Sequence, residues 1–143
     1  MTRIPSGIIK ASIKAGSVYY FRDEHLNSSY KHYMVVLNKK PKTDEVILFA
    51  CGQSKIRNVK LLRSNCPPET LVIITPKQYS GFRVDTIFDC NNVFPQSINN
   101  IADKYEKGEL IVKTEIDIKQ VELLRQGVVA SKLSEPRFQK MLS

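Results

Sequence analysis

The sequence predicts an α+β chain, with a curled sheet or small barrel first and helices after it. Three observations lead there. Up to residue 94 the chain is a series of β-branched and aromatic runs, each closed by turn-forming residues. Beyond Pro95 the apolar residues recur at helical spacing. Strands grouped before helices mark α+β rather than alternating α/β architecture. At 143 residues the chain fits one domain with a core of its own, residues 1–143, divided into a β core at 15–94 and a helical extension at 95–143.

Residues 1–15 form a basic lead-in without periodicity, and Gly16-Ser17 opens the run Val18-Tyr19-Tyr20-Phe21, a strand by composition. Arg22–Ser29 reads as a polar loop rich in turn formers. Two apolar runs follow, Tyr33–Leu37 and Val46–Cys51. The polar turn Asn38–Glu45 joins them into a hairpin. The basic stretch Lys55–Arg63 comes next, then a turn through Ser64, Asn65, Pro67 and Pro68. Thr70–Thr75 is a β-branched strand ended by Pro76, and Pro76–Ser80 reads as a turn or short helix. Phe82–Phe88 alternates like a half-buried strand.

Ser97–Tyr105 places Ile98, Ile101 and Tyr105 on one helical face, with Pro95 before it and Gly108 at its end. Asp117–Val129 repeats the pattern, with Asp117 as N-cap and Gly127 interrupting near the end. Ser134–Leu142 is a third short helix capped by Ser134. These amphipathic helices cover the sheet or meet a second subunit.

Composition narrows the function. No apolar run approaches the roughly 18–20 residues that span a bilayer. The basic N-terminus lacks an apolar h-region, so the expected setting is the cytoplasm, with no membrane. Cys51, Cys66 and Cys90 lack zinc-site spacing and read as inert structural thiols. There is no Walker loop, GxGxxG fingerprint or zinc-protease helix. The net charge is +8, and it is lopsided: residues 1–75 hold 12 Lys and Arg against 5 Asp and Glu, residues 76–143 hold 10 against 9. A localised positive field attracts polyanions, chiefly nucleic acid.

The basic half contains the hairpin, and an antiparallel hairpin brings its outer ends together. Lys31 and His32 enter the first strand; Gln53, Ser54 and Lys55 leave the second. That set suits a phosphodiester. RNA supplies its own nucleophile, so cleavage needs a base, an acid and cations around the phosphate, and no metal or other cofactor. His32 is the expected acid or base. Lys31 stabilises phosphate charge and Ser54 donates a hydrogen bond. Gln53, Lys55, Arg57 and Arg22 are the expected substrate-binding residues. Tyr19, Tyr20, Tyr30 and Tyr33 offer stacking surfaces, or belong to the core and rim of the sheet. His25, beside Asp23 and Glu24, reads as solvated. Asp85 and Asp89 are a weak metal pair.

The order of these pieces resembles the MazF/PemK-like toxins. The matching segments are Gly16–Phe21, His32–Leu37 and Val46–Ile56, within roughly residues 15–94. The resemblance implies an SH3-like β-barrel that cuts single-stranded RNA without a metal, as a homodimer silenced by a small acidic antitoxin. Members of that family carry Arg-Pro at the entrance to the second strand, where this chain has Lys31-His32-Tyr33. Ser54 falls near the family's Thr/Ser position. A non-catalytic nucleic-acid-binding module and a protein-interaction domain stand as alternatives.

Overall fold

A computed structural model describes residues 7–26 and 29–143. Residues 1–6 of the lead-in, and Asn27 and Ser28 of the first loop, lie outside the described residues. The elements run α1 (Gly7–Ser12), β1 (Val18–Phe21), β2 (His32–Val36), β3 (Val46–Gln53), α2 (Ile56–Leu62), β4 (Leu71–Ile74), β5 (Thr86–Asp89), β6 (Phe94–Ser97), α3 (Ile98–Glu106), β7 (Ile111–Lys113), α4 (Ile118–Ala130) and α5 (Pro136–Leu142). A short 3₁₀ turn, Pro68–Thr70, leads into β4.

The seven strands form one antiparallel sheet in the order β4-β5-β3-β2-β1-β7, with β6 also on β3. The α+β class therefore holds. Closure does not: β4 and β7 are both edges, and no pairing joins them. The eight residues of β3 are long enough to take two partners along one side. Its first half, Val46–Phe49, pairs with β6, and its last residues, Gly52 and Gln53, pair with β5.

Burial follows from strand alternation. On one face Val18, Val35, Leu48 and Ala50 pack with Val121, Leu124 and Val128 of α4 and Phe138 and Leu142 of α5. On the other, Tyr19, Phe21, Met34, Val36, Ile47 and Phe49 pack with Ile9 and Ile13 from the α1 segment and Ile101 and Ala102 of α3. A sheet covered on both faces needs strands apolar on both sides. That is why the chain reads MVVL and VILFAC without alternation.

Several boundaries moved. Lys55–Arg63 contains a helix, α2, and residues 7–12 form α1. The C-terminal half is not purely helical, because β7 returns to pair with β1, Tyr20 opposite Ile111. Phe82–Phe88 is a strand only from Thr86 onward. Asp117 caps α4 as expected, its side chain accepting from the Lys119 amide. The N-cap of α5 is Glu135; Ser134 instead donates its hydroxyl to the Cys90 carbonyl at 3.1 Å.

Two buried contacts position the hairpin. Asn38, at the end of β2, donates to the Val46 carbonyl at 2.8 Å and accepts from the Leu48 amide at 2.7 Å. Arg125 of α4 donates to the Leu37 carbonyl at 2.7 Å and the Asn38 carbonyl at 3.2 Å. Orphan carbonyls at the turn are thereby satisfied from the helix above. Gly127 lets that helix come close. A Cβ there would lie 2.8 Å from Cys90 Sγ and 2.9 Å from the Glu69 carbonyl oxygen. Gly127→Ala therefore sets overpacking of about 1–3 kcal/mol against a helix-propensity gain of about 1 kcal/mol. The expected net effect is a lower urea midpoint; an unchanged or raised midpoint would show that α4 is not held at this distance.

Candidate functional site

The open end of the β2–β3 hairpin carries the site. Antiparallel pairing runs from Val36 opposite Phe49 to Tyr33 opposite Gly52. Just beyond that last pair, His32 and Lys31 precede Tyr33 on one side, and Gln53 and Ser54 follow Gly52 on the other. Neighbouring strands hold both ends: His32 pairs with Phe21 of β1, and Gln53 with Ile87 of β5. The convergence expected from the sequence is thus built by the backbone.

This end opens into a cleft of about 790 Å³. Three segments line it, besides Tyr20: Ser29 to Tyr33, Gly52 to Lys55, and the turn contributing Phe82, Arg83, Val84 and Thr86. Five expected site residues meet there: Lys31, His32, Gln53, Ser54 and Lys55. Arg22 and Arg57 do not line it. Arg57 sits on the first turn of α2, where the chain has already left the sheet. Arg22 follows β1 and has an interaction of its own.

The cleft is electrostatically one-sided. Lys31, Lys55 and Arg83 line it, and no Asp or Glu does among the described residues. None of these three cations is ion-paired with a described residue, whereas Lys14, Arg63, Lys104, Lys107, Arg125 and Arg137 are each paired. Like charges gathered without counter-charges focus a positive field on the cleft. The side chains of Gln53 and Ser54 make no hydrogen bond among the described residues and so face the cleft uncommitted.

His32 is half-buried, and its Nδ1 is enclosed without a hydrogen-bond partner among the described residues. Burial holds its pKa below the ordinary 6.5, opposed in part by the Tyr30 backbone carbonyl. The ring is therefore neutral at pH 7 and able to accept a proton.

Aromatic rings form one wall. Tyr20 and Tyr33 lie 4.9 Å apart between centroids, Tyr33 and Phe82 5.0 Å, and Phe82 and Tyr79 4.7 Å. The Tyr33 hydroxyl donates to the Gly81 carbonyl at 3.2 Å, which fixes that ring. Lys113 Nζ lies 5.5 Å from the Tyr20 centroid. Tyr19 is elsewhere. It is buried in the core, and desolvation pushes its phenol up to about 12. Gly52 sets the floor: a Cβ would lie 2.8 Å from Thr86 Cγ2 and 2.9 Å from Phe88 Cζ, so only glycine lets β5 approach here.

Other candidate chemistry is already engaged. Asp89 accepts from Arg63 Nε at 2.8 Å and from the Asn91 amide at 3.0 Å, while Asp85 is exposed, so the two carboxylates do not act as a pair. His25 is exposed at its ring, yet its Nδ1 meets buried Asp23 Oδ1 at 2.8 Å. Asp23, Glu24 and His25 bring potential ligand atoms within 4.8 Å of one another. Gln96 holds the second Asp23 oxygen at 2.8 Å, and Lys104 holds Glu24. Burial pushes the Cys51 and Cys90 thiols up to about 12, with Asp23 and Asp89 adding to it. They stay protonated and are not nucleophiles.

Sequence reasoning missed Phe82, Arg83, Val84 and Thr86 as site residues. The alternation of FRVDTIF suggested one continuous strand, and the turn formers Ser80-Gly81 before it were the available signal. The His32 environment gives a direct check. Its ring protons should titrate by NMR with a midpoint below 6.5, and a midpoint at or above that value would mean the ring is solvated.

No protein-family model matches the chain and no curated protein matches it, so the functional reading rests on these residues.

Proposed function

We propose that this chain is an endoribonuclease cutting single-stranded RNA without a metal, a divergent relative of the MazF/PemK-like toxins. The observation that carries the reading is the cleft: three cations with neither an ion pair nor a lining carboxylate among the described residues, beside a half-buried histidine that burial keeps below its ordinary pKa. In this reading the bent β3, shared between β6 and β5, is the coil of an SH3-like barrel left open between β4 and β7. A homodimer, a small acidic antitoxin partner and a cytoplasmic setting belong to the same proposal. Among the described residues no helix is long and apolar enough to cross a membrane.

The chemistry follows from the side chains. His32, neutral at pH 7, takes the proton of the ribose 2′-hydroxyl. The 2′-oxygen attacks the adjacent phosphorus, the bond to the 5′-oxygen breaks, and water protonates the leaving oxygen. The products are a 2′,3′-cyclic phosphate and a 5′-hydroxyl. Lys31, Lys55 and Arg83 stabilise the extra charge on the phosphate, and Ser54 donates to a non-bridging oxygen. Arg83 supplies a guanidinium from a separate turn, whereas the strand entrance offers only Lys31-His32.

One observation favours a second reading, a module that binds RNA without cutting it. His32 is the one lining side chain, among the described residues, with an ordinary pKa near neutrality, so no second acid–base residue completes a pair.

Incubation of pure protein with mixed single-stranded RNA in EDTA separates the two. Cleavage is expected, and His32→Ala should slow it by about 10²-fold or more, the lower end of acid–base contributions. Ser54→Ala should slow it less. Because the base must be unprotonated, the rate should fall as pH drops through a value below 6.5 and stay flat above it. Salt-sensitive RNA binding without turnover would establish the binding module instead.

A further inference from the structure

We infer that the cleft holds one unstacked nucleobase as well as a phosphate, with Tyr30 and Val84 as its lips and the Tyr20–Tyr33 pair as its wall. The inference rests on the RNA-binding reading above and goes on to name the recognition unit. A phosphate site needs cations and hydrogen-bond donors only. This cleft also presents apolar side chains to water. Tyr30 is 76% exposed and Val84 is 56% exposed, and both line it. A flat, apolar partner seated against them would remove that surface from water, which is favourable.

The wall is fixed in advance. Tyr33 is held by its hydroxyl on the Gly81 carbonyl at 3.2 Å and by the edge of Phe82 with centroids 5.0 Å apart. An immobile ring loses little freedom when a base stacks on it. In the same cleft, Gln53 and Ser54 offer one amide and one hydroxyl, neither hydrogen-bonded among the described residues, which match the donor and acceptor edge of a base. The volume of about 790 Å³ accommodates a nucleotide and lies within the roughly 300–1,000 Å³ of small-ligand sites. A duplex stacks its bases inward and offers none to this wall, so the ligand is single-stranded.

The test uses the full chain and two fluorescein-labelled pentamers of equal charge. One is a 2′-O-methyl pentanucleotide of mixed sequence, in which the internal nucleophile is blocked. The other is its abasic counterpart. Anisotropy titrations should show the base-bearing chain bound about tenfold tighter, the effect of one good stacking contact. Tyr30→Ala and Val84→Asn should erode that preference, and Tyr30→Trp should keep it. Arg83→Ala should weaken both pentamers alike. Equal affinity of wild type for the two pentamers, or a preference that survives both Tyr30→Ala and Val84→Asn, overturns the base site and leaves the phosphate reading standing. Failure to bind either pentamer overturns both readings.

Discussion

The contact between Gly52 and β5 is the constraint on which the rest of the site depends. Where β3 changes partners from β6 to β5, the two strands come so close that no side chain fits between Gly52 and the Thr86 methyl or the Phe88 ring. β5 follows directly on the segment Phe82–Asp85, and Phe82, Arg83 and Val84 line the same cleft as the open end of the hairpin. Lys31 and Lys55 flank the paired ends of β2 and β3, and the segment before β5 brings Arg83 to the same cleft. The cleft therefore sits where β3, β2 and β5 pair around Gly52. Its side chains decorate a geometry that one glycine makes possible.

Charge elsewhere in the molecule shows what is particular to the cleft. Arg63, Lys104 and Arg125 each lie close to a carboxylate and serve the fold. Arg125 is buried, and its guanidinium also reaches two backbone carbonyls, which is how a buried cation is tolerated. Lys31, Lys55 and Arg83 have no such carboxylate partner among the described residues. Lys31 is half-buried, and Lys55 and Arg83 are exposed to solvent. The net charge of +8 thus overstates the structural role of the basic residues and understates their concentration at one place.

Much of this arrangement was legible in the sequence because it follows from local rules. The hairpin ends meet because antiparallel strands joined by a polar turn must bring Lys31-His32 beside Gln53-Ser54. Asp117 announced α4 because a carboxylate satisfies free helix amides. What was not legible has a physical cause in each case. β7 has three residues, and Ile111 and Val112 are exposed, so no burial pattern marks it. Its place beside β1 is decided by tertiary pairing. The sequence of α2 carries only one buried position, Val59, too few to show a helical period. Closure of the sheet was not legible either, because it depends on whether the two edge strands, far apart in sequence, pair with each other. Arg83 was overlooked because strand alternation was extended through Phe82–Asp85, where the chain in fact turns.

The pairing of β1 with β7 bears on how the chain assembles as it is made. Val18 meets Lys113 across most of the polypeptide, so this edge closes a long loop and must wait for the C-terminal half. Long-range closure loses entropy before any contact rewards it. The β1–β2–β3 meander needs only neighbouring residues, and every residue lining the cleft lies between Tyr20 and Thr86. On an emerging chain the pieces of the site are complete before α4 and its Arg125 exist to hold the hairpin turn. For that interval the paired strands carry a bare apolar face, and the order of synthesis sets how long it stays exposed.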